Sequence, residues 1–173
     1  MKTQDRINQW KVYPGQRGMF AFELYKLMAA DKDVILLTGD LGFQMWDAHK
    51  EDMPNQYLNC GASEQAMLGV AVGMALQGKI PFVYSITPFL LYRGFETIRN
   101  YISHENIVVK LCGSGRDKDY GADGFSHWCD EAEEVLRPFT NIKCYWPMSS
   151  ENVAGIMKEM YENKSPSFIS LKR

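Results

Sequence analysis

The sequence is poor in the residues that build metal sites and disulfide scaffolds. It has three scattered histidines, and its four cysteines, none of which belongs to a C-x-x-C pair, are Cys60, Cys112, Cys129 and Cys144. Such spacing gives little support to a zinc site. Since disulfides are rare in the cytosol, we expect four reduced cysteines in a cytoplasmic protein.

Long apolar runs and basic runs are also missing. The first twenty residues lack the apolar stretch of a signal peptide, and no run of about 18 apolar residues could span a membrane. The 19 basic residues are scattered and the net charge is −2 at pH 7, so neither a nucleic acid nor a membrane is expected as a partner. The chain of 173 residues is 46% hydrophobic, and we expect residues 1–173 to form a single domain with a buried core.

Short apolar runs with strand character alternate with helical segments along the chain. The pattern predicts strands at 34–38, 56–60, 80–86, 107–112, 142–146 and 167–171, and helices at 16–30, 63–77, 89–103, 130–139 and 150–163. Strands separated by helices require right-handed crossovers. The expected fold is therefore α/β, with three α/β/α layers and a mostly parallel sheet of about six strands.

Polar loops follow three of the predicted strands, at 38–42, 60–64 and 113–127. In open α/β sheets, ligands bind outside the carboxyl ends of the strands. These loops are the expected location of a binding site.

The helix predicted at 63–77 is unusual because it is apolar or small on every face between Ala66 and Leu76. Such a helix is expected to be buried all round, and Gly69 and Gly73, one turn apart, would let another backbone approach closely. Glu64 lies in the first turn of this helix. It is either an ordinary acidic residue at a helix start or a carboxylate placed in an apolar setting for a functional reason.

The segment NCGASEQAMLGVA at 59–71 resembles the segment of transketolases and deoxyxylulose-phosphate synthases in which a glutamate opens a buried helix. The resemblance implies thiamine diphosphate as the cofactor, with Glu64 bound to N1′ of its aminopyrimidine. A carboxyl group there promotes the imino tautomer of the 4′-amino group, which then removes the C2 proton of the thiazolium. Glu64 is therefore expected to be both cofactor-binding and catalytic.

Three aromatic residues recur every third position after the next predicted strand, namely Phe89, Tyr92 and Phe95. Such stripes are commonly part of a hydrophobic core. Their segment is similar to the T-F-L-x-F pattern of transketolases, which implies that the rings sandwich the aminopyrimidine. The same resemblance places Asp40, after the first strand, near the cofactor.

The segment GADGFSH at 121–127 resembles the G-x-D-G-x-T-H loop of the same family, with serine in place of threonine. The resemblance implies that Asp123 contacts a substrate hydroxyl and that His127 binds a substrate oxygen or moves a proton near neutral pH. A solvated Asp-Gly turn is the alternative. Arg17 and Arg173 align with positions that hold a substrate phosphate in transketolases, although both could be ordinary surface arginines.

Some parts of the family pattern are missing. Transketolases hold Mg²⁺ and the diphosphate with Gly-Asp-Gly and a later asparagine, whereas this sequence has only Ala122-Asp123-Gly124. We therefore expect no metal site in this chain, and a diphosphate-binding (PP-type) partner subunit that holds Mg²⁺ in a heterotetramer-like assembly. Transketolases carry a histidine that helps to bind the sugar phosphate where this sequence has 113–116, and a glutamine where it has Trp128. These two departures put a standard phosphoketose substrate in question.

The resemblance implies a subunit of a split, thiamine diphosphate-dependent transketolase-like enzyme. Such an enzyme moves a two-carbon ketol unit between sugar-like substrates, and the chain would be active only with its partner. Met1 favours a natural subunit over an excised domain. The alternatives are a subunit of a thiamine diphosphate-dependent decarboxylase or 2-oxoacid dehydrogenase, and a non-catalytic structural subunit. Alone, the chain should expose an apolar face and either self-associate or be poorly soluble.

Overall fold

The computed structural model describes residues 3–9 and 15–173; Met1, on which the expectation of a natural subunit depends, lies outside these ranges. The strands are β1 (Val34–Thr38), β2 (Tyr57–Asn59), β3 (Ile80–Ile86), β4 (Lys110–Ser114), β5 (Lys143–Tyr145) and β6 (Ser167–Leu171). The α-helices are α1 (Thr3–Gln9), α2 (Gln16–Ala30), α3 (Asp47–Asp52), α4 (Glu64–Leu76), α5 (Phe95–Thr97), α6 (Ala132–Leu136) and α7 (Glu151–Glu162). Two π-helical segments, Phe89–Arg93 and Ile98–His104, flank α5.

The six strands form one sheet in the order β2-β1-β3-β4-β6-β5, and every pairing is parallel. The four central strands are buried along their length, except for Ile80 at the start of β3, as continuous apolar runs in a parallel sheet predict. All carboxyl ends therefore meet at one edge.

Alternate strand residues point to two separate cores. Leu37, Val83 and Phe168 pack on one face with α4, the π-helical segments and α6. Leu36 and Tyr84 pack on the other face with α2 and α7. The expected α/β fold with three α/β/α layers is confirmed.

The strand between the π-helical segments and the Asp–His loop at 121–127 is shifted along the chain from its predicted position. The expected strand 107–112 is observed as β4 at Lys110–Ser114. The amide of Ile107 instead donates to the Tyr101 carbonyl at the end of the preceding helix (3.2 Å), and the carboxyl end continues through Gly113 because that residue pairs with Ser85.

The helix predicted at 89–103 has a different geometry, because most of it is π-helical. Gly94 lies at the junction, where an added Cβ would collide with the Leu68 side chain. The glycine therefore permits a close approach of α4 at this junction, and π-helical turns are frequent at functional sites.

The expectation that α4 is buried all round is wrong for the single chain. Met67 and Leu68 face the sheet, but Val70 is 42% and Leu76 is 65% exposed. Gly69 and Gly73 lie on the same outer face, with open space where a Cβ would stand. The apolar character of this face is therefore unexplained by contacts within the chain.

Three further findings concern the described part of the chain. All four cysteines are free thiols. Among residues 3–9 and 15–173, no group of three His, Cys, Asp or Glu side chains could hold a metal ion. Nor is any helix within those ranges both long and apolar enough to cross a bilayer.

Candidate active site

The site begins where the strand order reverses, between β1 and β3. In open parallel sheets such a reversal leaves a crevice at the carboxyl ends. Gly39 follows β1, Ser85 lies near the end of β3, and Glu64 opens α4 after β2. Ser85 Oγ donates to Glu64 Oε1 at 2.8 Å. A Cβ added at Gly39 would lie only 3.2 Å from the same oxygen, so glycine leaves room for the carboxylate.

The Glu64 carboxylate is buried, with 1% of the residue exposed. Its second oxygen, Oε2, accepts a hydrogen bond from Arg93 Nη1 at 2.8 Å. Burial alone would raise the pKa of Glu64, but the hydrogen bonds from Arg93 and Ser85 outweigh it and the pKa lies below its ordinary value. The carboxylate is directed at side chains of the sheet and the π-helical segment, which a simple helix-start residue would not require.

Arg93 lies between the buried carboxylate and an aromatic ring. Its guanidinium carbon is 3.9 Å from the centroid of the Phe89 ring, and 47% of its side chain is exposed. The π-helical turn Phe89–Arg93 positions both residues, because the ring opens the turn and the arginine closes it. A flat cation is thus stacked on Phe89 while it donates to Glu64.

The three aromatic residues of the stripe contact different partners within the chain. Phe89 packs edge-on against His127, with ring centroids 4.9 Å apart. Tyr92 donates to Glu131, and Phe95 packs against Phe139 with centroids 5.6 Å apart. Phe89 is the member linked to Glu64, because both contact Arg93. Tyr92 and Phe95 instead contact residues on either side of α6.

The predicted Asp–His loop folds as two 3₁₀ turns, Gly121–Asp123 and Phe125–His127, separated by Gly124 at φ 80°. That left-handed backbone suits glycine. His127 Nδ1 lies 2.9 Å from Ser126 Oγ, and the His127 ring is 6.0 Å from the Tyr120 ring. The loop thus brings the imidazole beside Phe89.

Tyr120 connects this loop to both predicted arginines. Its hydroxyl lies 2.8 Å from Ser114 Oγ and accepts from Arg17 Nη1 at 3.4 Å. The guanidinium of Arg173 lies 4.9 Å above the Tyr120 ring and 3.9 Å from Asp123 Oδ2. Arg17, Asp123 and Arg173, which are far apart in sequence, are therefore neighbours.

Gly115 explains how the tyrosine fits. Its φ is +82°, and a Cβ there would collide with the Tyr120 ring. The segment 113–116, where the resemblance implies a histidine, therefore leaves room for the aromatic ring of another residue. Beside this cluster lies a cavity of ≈ 500 Å³, and Arg17 and Arg173 both line it.

Asp40 lies at the rim of the crevice. Its backbone is left-handed at φ 60°, its amide donates to Asn59 Oδ1 at 3.1 Å, and Asn59 Nδ2 donates back to its carboxylate at 2.8 Å. This pairing joins the carboxyl ends of β1 and β2. The pairing fixes Asp40 directly after Gly39, the residue that lies against the Glu64 carboxylate.

Contacts thus connect most of the predicted site residues, from Glu64 through Phe89 and His127 to Asp123. Sequence reasoning missed three members of this chain of contacts, which are Arg93, Ser85 and Tyr120. Arg93 lies within the aromatic segment and Ser85 is the second-last residue of a predicted strand, which are weak signals. The pattern gives no signal for Tyr120.

Comparison with known proteins identifies the family of the chain. The sequence profile of the family described as "Transketolase, pyrimidine binding domain" matches residues 16–173. The chain is 28% identical over 159 residues to an apulose-4-phosphate transketolase subunit of Phocaeicola vulgatus, covering 91% of this chain and 51% of the relative. It is 26% identical over 148 residues to a 6-deoxy-6-sulfo-D-fructose transketolase subunit of Clostridium sp. strain MSTE9, covering 86% and 44%.

A solved structure described as "Split gene transketolase, inactive beta4 tetramer" superposes with a TM-score of 0.81 at 27% identity, over 92% of this chain and 52% of that one. The chain therefore spans about half the length of this structure and of the Phocaeicola vulgatus relative. The match of the family profile over nearly the whole sequence shows that this chain belongs to the family of transketolase pyrimidine-binding domains.

Proposed function

We propose that residues 1–173 form one pyrimidine-binding domain and supply half of the active site of a two-chain transketolase-like enzyme that uses thiamine diphosphate. The enzyme would transfer a two-carbon ketol unit between sugar-like substrates. The observation that carries this proposal is the buried Glu64 carboxylate at the β1–β3 crevice, with one oxygen held by Ser85 and the other directed toward a flat group stacked on Phe89.

The residues present fit an aminopyrimidine. The Arg93 guanidinium is a planar group with N–H donors, and it already stacks on Phe89 while it donates to Glu64. An aminopyrimidine has the same two requirements, a ring face to stack and a nitrogen edge to bind a carboxyl group. When bound, thiamine diphosphate supplies the carbon nucleophile that breaks and forms the bonds of the ketol unit.

The protein groups would then have separate tasks. Glu64 holds a proton at N1′ of the pyrimidine, Ser85 keeps the carboxyl group oriented, and Phe89 orients the ring. Tyr92, Phe95 and Asp40 are proposed to complete the cofactor surface in the assembled enzyme.

The neighbouring cluster would bind the substrate. His127, beside Phe89, is placed to bind a substrate oxygen or move its proton near neutral pH, and Asp123 would accept from a substrate hydroxyl. Arg17 and Arg173 line the same cavity and would attract an anionic end of the sugar. The names of the two relatives specify a phosphorylated and a sulfonated sugar, and both groups are anions that this pair could hold.

The partner is proposed to be a diphosphate-binding subunit that holds Mg²⁺, in a heterotetramer-like assembly. The outer face of α4 supports such a contact, because it is apolar, exposed and lined by Gly69 and Gly73. An adjoining groove of ≈ 580 Å³ includes Leu58 and Val70. The related split-gene structure is described as an inactive tetramer, and we propose that this chain alone is likewise inactive and self-associates. Its free thiols suit a cytoplasmic location.

Calorimetry tests the proposal. Thiamine diphosphate with Mg²⁺ should bind a mixture of this chain and the protein encoded beside it, and bind the chain alone weakly or not at all. Glu64→Ala should weaken binding by the mixture by about tenfold to a hundredfold, since it removes a hydrogen bond to a charged or reacting group. Glu96→Ala, at an exposed glutamate of α5, is the matched control and should bind as the wild type does.

Two results would contradict the proposal. Unchanged cofactor binding by folded Glu64→Ala would remove Glu64 from the site. Binding by no mixture would favour a non-catalytic subunit, provided that the two chains form a complex in the same experiment.

A further inference from the structure

Arg93 occupies the position between Phe89 and Glu64, which are the two groups that the proposed function assigns to the aminopyrimidine. We propose that in the unliganded chain Arg93 acts as an internal substitute for that ring, and that its side chain must leave before the cofactor can bind. The inference rests on the proposed function and deepens it, because it adds a residue that controls access to the pyrimidine position.

The geometry carries the inference. The guanidinium carbon lies 3.9 Å from the Phe89 centroid, and Nη1 lies 2.8 Å from Glu64 Oε2. One flat, nitrogen-edged group therefore uses both the ring face and the free carboxylate oxygen. A second flat group cannot occupy the same face of Phe89 and the same oxygen while the guanidinium remains there.

The rest of the site does not need Arg93 to stay. Ser85 remains on the other carboxylate oxygen, so Glu64 keeps one fixed partner when the arginine leaves. The Arg93 side chain is 47% exposed, so its guanidinium can reach water by side-chain rotation without unfolding the helix. The exchange replaces an internal ion pair by a bound ligand and a solvated cation.

The departure of Arg93 also changes the carboxyl group. Burial raises the pKa of Glu64, and in the unliganded chain the hydrogen bonds from Arg93 and Ser85 outweigh that effect. Without Arg93 the pKa of Glu64 rises, so the carboxyl group more readily takes a proton from solvent that it can donate to a ring nitrogen. The same movement thus opens the position and prepares its acid.

Competition of this kind weakens the apparent affinity of the ligand. The apparent dissociation constant equals the intrinsic one divided by the fraction of open molecules, so a position closed about nine times in ten weakens binding about tenfold. Arg93→Met keeps most of the length of the side chain and removes the donors. We expect it to bind the aminopyrimidine about tenfold more tightly than the wild type.

The experiment measures the affinity of the full chain for 4-amino-2-methylpyrimidine by NMR, and that of its mixture with the partner for thiamine diphosphate and Mg²⁺ by calorimetry. Arg99→Met, at an exposed arginine that contacts Asn100, is the matched control and should equal the wild type. In ¹⁵N spectra, the side-chain Nε–H signal of Arg93 should move toward that of a solvated arginine during the pyrimidine titration, while the Arg99 signal stays. Arg93→Lys assigns the signal and keeps the charge without the flat shape.

The outcomes separate the inference from the proposed function. Tighter binding by Arg93→Met and release of the Arg93 signal would support it. Binding that depends on Glu64 but is equal or weaker in a folded Arg93→Met variant would overturn the inference and leave the proposed function standing. If no variant or mixture binds either ligand, both are overturned.

Discussion

Two of the buried charged side chains, Lys110 and Glu64, lie at opposite edges of the sheet. Lys110 begins β4 at the amino edge, and its ammonium group donates to the carbonyl of Asn163 (3.1 Å), to Asn163 Oδ1 (2.8 Å) and to the carbonyl of Ser165 (2.8 Å). Glu64 at the carboxyl edge accepts from Ser85 and Arg93. Both charges are satisfied, but their partners differ in how freely they can move.

The difference in partners separates a structural charge from an exchangeable one. The acceptors of Lys110 all belong to the turn between α7 and β6, and two of them are backbone carbonyls. One partner of Glu64 is a long, half-exposed side chain that rotation can remove. A buried charge whose partner can leave is suited to bind a ligand, whereas one held by the backbone only fixes the fold.

The largest expected effect comes from removing the hydrogen bonds that Lys110 makes to the turn between α7 and β6. Lys110→Met leaves buried carbonyls without their donor, and we expect a loss of about 2 to 4 kcal/mol in the free energy of unfolding. Urea denaturation at neutral pH measures it. Lys79→Met, which removes an exposed pair with Asp33, is the control and should change stability by less than about 1 kcal/mol.

Aminopyrimidine affinity of the folded Lys110→Met fraction should equal that of the wild type, since the lysine lies at the other edge of the sheet. A stability loss as small as that of the control would mean that Lys110 is not a structural charge. A changed affinity would mean that the two edges are coupled.

A smaller effect concerns the exchangeable charge and its pH dependence. The folded-state pKa of Glu64 lies below its ordinary value of 4.5, so its contribution to stability is present above that pH and is lost as the pH falls through the folded-state pKa. Glu64→Gln should cost about 1 to 3 kcal/mol at pH 7, and the difference from the wild type should shrink in acid. Urea denaturation of both chains across this pH range measures the difference.

Arg93→Met should weaken this dependence. Arg93 supplies the first of the hydrogen bonds that lower the pKa of Glu64, so without it the folded-state pKa rises and less stability is lost as the pH falls. Unfolding free energies between acid and neutral pH, each measured relative to the same chain with Glu64→Gln, test this. The same slope with and without Arg93 would show that the ion pair does not control the carboxylate.

The sequence predicts the sheet well because buried parallel strands are continuous apolar runs. Ile80–Ile86 and Ser167–Leu171 begin and end where the pattern places them. The π-helical geometry after β3 is not predicted in this way, and the close approach of Leu68 of α4 to Gly94 within it joins parts of the chain that are far apart in sequence. Local residue preferences do not report such a tertiary contact.

The same limit applies to the site. Glu64 and His127 lie in segments that resemble family motifs, so their neighbourhood could be predicted. Arg93 could not be assigned, because its partner Glu64 is 29 positions away and only the fold brings them together. Tyr120 depends on the left-handed backbone of Gly115, which leaves space for its ring.

The smallest expected effect compares two buried serines, one beside each charge. Ser85→Ala removes the fixed donor of Glu64, and Ser167→Ala removes a hydroxyl that bonds Asn163 Oδ1 (3.3 Å) and the Ser165 carbonyl (3.2 Å) beside Lys110. Each should cost about 1 kcal/mol in denaturant unfolding, because each loses an ordinary internal hydrogen bond. Only Ser85→Ala should raise the pKa of Glu64, since the bond it removes favours the ionised carboxylate. A ¹³C titration of the Glu64 carboxyl carbon tests this, and an equal response to both substitutions would mean that the carboxylate senses overall stability and not its own donor.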